Sequence, residues 1–134
     1  MCYDAFLAVI TQLSGRKKAR VVIQGSVIFI ETSPQKKCWS LSTRVFSSDG
    51  YLPSNVRACL SANGLARWQE RGAYLQLDPL EQAVYLVHEV DSLPKYVPFK
   101  FLMKDFVEVA NEWREILEEF AGQDYTSLRI EENF

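Results

Sequence analysis

A single histidine, His88, is all the imidazole this 134-residue sequence has. A Ser-His or Cys-His nucleophile would have to be built on that one ring, and it lies between Val87 and Glu89 in an apolar run that reads as a strand. A strand-face histidine with a local hydrogen bond accounts for it better than a general base. Cysteine is scarce and odd in number: Cys2, Cys38 and Cys59 form no CxxC pair. That pattern gives neither a disulfide framework nor a zinc site and points to a reducing cytosol. Positive charge is not in excess, with a net charge of −2 and an isoelectric point near 5.4, so the field that a phosphate backbone requires is missing. The short basic stretch Arg16, Lys17, Lys18 and Arg20 reads as the solvated end of a helix, where cations meet the negative end of the dipole. No apolar run approaches the about 20 residues needed to span a bilayer. The opening Met-Cys-Tyr-Asp-Ala-Phe has neither the basic start nor the apolar core of a secretory signal.

Chemistry-bearing motifs are missing as well. There is no Gly-x-Ser-x-Gly elbow, P-loop or dinucleotide fingerprint. The acid pairs Glu118-Glu119 and Glu131-Glu132 fall on an exposed helix face or in the tail, without the desolvated cleft that parts the pKa values of a catalytic dyad. The expectation is a protein that is not an enzyme, with no cofactor, no metal and no nucleic-acid or membrane partner.

What is present is a sequence that folds. Apolar residues make up 48% and charged residues 24%, the balance of an ordinary globular domain. Residues 1–122 read as one domain, and 123–134 as a flexible acidic tail. Tyr3, Phe6, Leu7, Ile10 and Leu13 lie on one helical stripe, with Gly15 placed to stop the helix. The period then changes. Val21-Val22-Ile23 and Val27-Ile28-Phe29-Ile30 are β-branched runs split by Gln24-Gly25-Ser26, and Trp39, Leu41, Thr43 and Val45 alternate with polar residues, so three strands are expected. Pro53 opens a second helix over 54–62. Ala73 to Leu77 and Ala83 to Val87 form a hairpin across Asp78-Pro79-Leu80-Glu81. From Phe99 to Phe120, Phe99, Leu102, Met103, Phe106, Val109, Ala110, Trp113, Ile116, Leu117 and Phe120 keep the helical period for about six turns. Gly122 is expected to end this helix. Of the pairs Glu108 with Glu112, Glu115 with Glu119 and Arg114 with Glu118, which share its outer face at four-residue spacing, only the last is attractive, so that face is acidic. Trp68, among Arg67, Gln69, Glu70 and Arg71, reads equally well as an interface aromatic and as a cap over the core.

The fold class is α+β: helix, three strands, helix, two strands, helix, with an antiparallel twisted sheet packed by helices. That order resembles the class I chaperones of type III secretion, the SycE- and CesT-like proteins, over about Tyr3 to Phe120. Its most specific part starts at Leu52-Pro53 and takes in Leu60-Ser61-Ala62-Asn63, Gly72-Ala73-Tyr74-Leu75-Gln76-Leu77-Asp78, Val84-Tyr85-Leu86-Val87 and Phe106-Val107-Glu108-Val109-Ala110-Asn111-Glu112-Trp113. The style of the sequence is similar to that of chlamydial members.

The resemblance implies a bacterial cytoplasmic dimer, with itself or with another chaperone of the class. It places the dimer interface on Val56, Leu60, Leu65, Trp68, Tyr74 and Leu75. It implies a partner that is a secreted effector or secretion-apparatus protein, gripped through apolar grooves that include Phe6, Ile10, Leu13, Ile28 and Ile30. The client's N-terminal region would be kept soluble and export-competent by binding energy alone. A second reading gives the same fold a regulatory task, binding a transcription factor or an RNA polymerase subunit and so coupling secretion to gene expression.

Overall fold

A computed structural model describes residues 2–33, 38–48, 52–62, 73–78, 80–90 and 95–132, with side chains for all of these except Ser33, 59–62 and 123–132. The elements run α1 (Tyr3–Arg16), β1 (Lys18–Ile23), β2 (Ser26–Ser33), β3 (Cys38–Ser47), α2 (Ser54–Ala62), β4 (Ala73–Asp78), β5 (Ala83–Val90) and α3 (Tyr96–Glu132). This is the α+β order read from the sequence. The strands form one antiparallel sheet in the order β1-β2-β3-β5-β4, which leaves β1 and β4 as its edges.

Two tight turns set the registers. Gln24 and Gly25 both take positive φ, the left-handed pair of a type I′ hairpin turn, whose twist matches that of the flanking strands. Ile23 is thereby placed opposite Ser26 and Ala19 opposite Ile30. In the second hairpin the Asp78 carboxylate accepts hydrogen bonds from the Leu80 and Glu81 amides at 3.0 and 3.3 Å, the local bonding that makes aspartate a turn former.

Alternation along each strand then sorts the sheet into two faces. Ala19, Ile28, Ile30, Trp39, Leu41, Val45, Leu75, Val84 and Leu86 are buried in the core, on the face that meets α1 and α3. Val22, Phe29, Arg44 and Glu89 point the other way. The α3 core stripe is Phe99, Met103, Phe106, Val107, Ala110, Trp113, Leu117 and Ala121, while Leu102, Val109 and Ile116 flank it. Phe120, expected in the stripe, stands at its margin with 36% of its surface exposed. The Trp39 ring stands edge-on to Phe99, centroids 5.5 Å apart at 84°, an arrangement favoured by the ring quadrupoles. Phe6 packs on Phe99 from the α1 side at 5.4 Å. Val56 of α2 is buried too, and Asn55 donates to the Phe120 carbonyl of α3 at 3.4 Å.

Four expectations are corrected. Gly15 lies inside α1, and the left-handed stop is Lys17, whose amide donates to the Leu13 carbonyl. A lysine bears that conformation at a modest cost because its carbonyl then accepts from the Thr32 amide at 3.0 Å, which ties the helix end to β2. The basic stretch therefore continues into a strand, with Lys18 and Arg20 in β1 rather than on a helix terminus. Gly122 does not end α3, whose helical backbone runs on to Glu132; one glycine costs about 1 kcal/mol inside a helix, too little to stop one this long. Arg114, finally, does not pair with Glu118. Its guanidinium reaches across to the sheet and donates to Ser26 Oγ at 2.8 Å, Thr43 Oγ1 at 3.2 Å, the Arg44 carbonyl at 2.9 Å and, on its own helix, Asn111 Oδ1 at 2.7 Å.

Candidate polypeptide-binding surface

The β1 edge is where main-chain hydrogen bonding is left open. The Arg20 amide donates not to β2 but to the side-chain carbonyl Oε1 of Gln12, at 3.1 Å. A glutamine on α1 thus occupies the place that the carbonyl of a further strand would take. An exposed edge of this kind is a template for another chain unless it is covered, and here one amide is covered by a side chain that a competing carbonyl can displace.

Apolar side chains flank this edge on both faces. On the outer face Val22 is 58% exposed and Phe29, in the adjacent strand, 42%, with half-buried Val27 paired to Val22. On the helix side, the exposed Tyr3 and Leu7 and half-buried Ile10 lie across α1 from Gln12, on the side where Tyr3 meets Tyr96 of α3, so they do not flank this edge. Ile23 at the end of β1 helps line a hollow with Phe101, Met103, Lys100 and Lys104 of α3, where Phe101 is 61% exposed. A chain laid along β1 would present alternate side chains to the two faces, since successive strand residues point to opposite sides. This arrangement offers shape and apolar area.

The residues expected to grip a client fall differently. Ile28 and Ile30 are both at 0% exposure, between the sheet and the helices. Phe6 and Leu13 are buried in the same core. An intact fold presents none of these four to a partner; of the five, only Ile10 retains exposed surface. The reason is the parity of β2. Val27-Ile28-Phe29-Ile30 is apolar on both faces, and the inward set is fixed by pairing with Ala19 and Val21 of β1. The exposed residue of that run is Phe29. Alternation in β1, where Arg20 and Lys18 share a face with Val22, was the signal that could have found it.

Of the positions expected at a dimer interface, Val56 and Leu75 are buried within the chain. Tyr74 lies half-buried on the outer face, where burial first, then Glu89 by its charge and its hydrogen bond, pushes the phenol above its ordinary value. The Leu60 side chain, Leu65 and Trp68 lie outside the described residues. His88 is half-buried on the helix face, its ring 6.5 Å from that of Phe106. Burial lowers its pKa, which keeps it neutral and makes it part of the core wall. Among the described residues no helix is long and apolar enough to cross a membrane.

The architecture is that of the class I type III secretion chaperones. A chain of the ExsC–ExsE complex superposes with a TM-score of 0.65 at 14% identity, over 85% of this chain and 92% of that one. A chain of the HopA1–SchA chaperone–effector complex gives a TM-score of 0.60 at 17% identity, over 82% and 91%. At these identities the likeness is one of fold. No family model matches the sequence, and no curated protein matches it.

Proposed function

We propose that this protein is a secretion chaperone, which binds an extended N-terminal segment of a secreted effector or secretion component in the bacterial cytoplasm and holds it export-competent. The observation that carries the reading is the β1 edge, with its covered amide and exposed apolar side chains on both faces. Strand addition would supply affinity through main-chain hydrogen bonds, while Val22 and Phe29 on one side and Ile23 and Phe101 on the other would take alternate side chains. Ordering an unfolded segment costs entropy, so both faces are needed to supply area. The shared fold of a chaperone–effector complex supports this reading by analogy. Dimerisation, with a second copy or another chaperone of the class, is part of the same proposal, and Tyr74 is the described residue with surface left to contribute.

The test is co-purification from cells expressing the protein with its neighbouring secreted proteins, followed by limited proteolysis and native mass measurement. The expected result is one secreted protein whose N-terminal region alone resists protease. Recovery of transcription proteins in place of a secreted one would replace this reading by the regulatory one.

A further inference from the structure

Between β2 and β3 the hydrogen-bonded ladder covers only part of the strands. It runs from Ser33 opposite Cys38 to Phe29 opposite Ser42, and beyond that pair the strands part. One side-chain bond spans the opening, from Thr43 Oγ1 to the Val27 carbonyl at 2.8 Å. The ladder of β3 with β5 is interrupted nearby, between Arg44 and Phe46. The result is a cleft of about 990 Å³ lined by Arg20, Phe29, Arg44 and Tyr85, which the strand pairing puts on the outer face of the sheet, and by Arg114 of α3 with its partners Ser26 and Thr43 on the helix side. Arg20 and Arg44 are exposed, and Phe46, which packs against the core, also lines the cleft.

The charges in this cleft are not balanced at close range. Among the described residues every acceptor around the Arg114 guanidinium is neutral: two hydroxyls, an amide oxygen and a main-chain carbonyl. Partial burial lowers its pKa, as expected for a charge held away from water without an opposite charge beside it. Among the described residues the one ion pair is Lys18 with Glu31, so no described carboxylate pairs with Arg20, Arg44 or Arg114. Glu81 and Glu118 also line the cleft. Glu81 is engaged by the Tyr85 hydroxyl at 2.6 Å, and Glu118 stands four residues from Arg114 on α3 without reaching it. Three guanidinium groups against two carboxylates leave an excess of one positive charge in a protein whose net charge is −2.

We propose that this cleft binds a carboxylate group of an extended polypeptide lying on the outer sheet face, with Arg20 and Arg44 donating to it and Arg114 holding a fixed positive charge beneath it. The site rests on the reading of the protein as a polypeptide-binding chaperone and gives the client a chemical requirement, an acidic residue beside apolar ones. Guanidinium groups suit this task because their planar donors match a carboxylate in pairs. The carboxylate has two sources, an acidic side chain or a chain's own C-terminus.

The test uses the full-length protein and three synthetic probes with the same valine-rich backbone. The first is blocked at both ends and carries two glutamates. The second is blocked and has glutamines in their place. The third has the glutamines and a free C-terminal carboxylate. Each is titrated while the side-chain Nε–Hε resonances of arginine are followed by NMR. Saturable shifts of Arg114, Arg44 and Arg20 are expected with the first probe, with affinity for it falling roughly tenfold or more in the double variant Arg20→Ala/Arg44→Ala, as for loss of a charge-assisted contact. Shifts with the third probe and not the first would support the cleft and assign it to a chain end. Equal shifts from the glutamine and glutamate probes, or the same affinity in the double variant, would overturn the proposal. Arg114→Lys serves as a second variant that keeps the charge while losing the fork, and weaker binding of the glutamate probe is expected there too. If the glutamate probe binds but no secreted protein co-purifies, the cleft stands and the chaperone reading fails; if a client binds and the arginines do not respond, the reverse holds.

Discussion

Gln12 and His88 show how much rests on single side chains here. Gln12 accepts from the Arg20 amide across eight residues and contributes little to stability, since a net exposed hydrogen bond is worth about 1 kcal/mol or less. Its replacement by alanine is expected to leave the urea midpoint nearly unchanged while hydrogen exchange at the Arg20 amide speeds up. Unchanged exchange would mean that the edge is closed by something else. His88 titrates in the opposite sense to a paired histidine. Its folded pKa lies below the ordinary imidazole value of about 6.5 because burial disfavours the charged ring. The stability it contributes is therefore whole above about pH 6.5 and is lost as the pH falls below that value towards the folded pKa, the unfolded chain taking up the proton first. Urea midpoints should fall between pH 8 and pH 5.5, and by less in His88→Gln; equal falls in the two proteins would contradict the assignment.

Among the elements, α3 carries most of the core and the two-faced strands carry the binding surface. Phe99 joins Phe6 and Trp39, and truncating a buried phenylalanine costs about 3–5 kcal/mol. Phe99→Ala should lower the unfolding free energy by that order, read by denaturant titration of tryptophan fluorescence. By contrast Val22→Ser/Phe29→Ser alters exposed positions, where stability changes stay within about 0.5 kcal/mol; it is expected to leave folding intact and weaken client capture. A loss of both together would place these residues in the core after all. The periodicity of α3 made its inward stripe legible in advance, because a long helix declares its phase many times over. Strand β2 did not, since Val27 to Ile30 is apolar at every position and only the register with β1 decides which pair faces inward. Arg114 was equally hidden: its four-residue spacing to Glu118 suggested a surface pair, whereas all but one of its described acceptors, Asn111 being the exception, are supplied by β2 and β3, 70 or more residues away in sequence.

At the scale of the whole molecule, the order of elements was legible because each change of hydrophobic period marks a change of structure. The strand order β1-β2-β3-β5-β4 was not, and it is this order that makes β1 an edge. Folding alone leaves exposed apolar groups on both sides of that edge, and a protein that covers them with a client gains area that its own chain does not supply. Amide hydrogen exchange on the free protein and on its purified client complex tests this most directly. Exchange at Arg20 and Val22 should slow when the client is bound, as added-strand hydrogen bonds replace Gln12 and water. Unaltered exchange along β1, with protection appearing along β4 or α3 instead, would contradict the account.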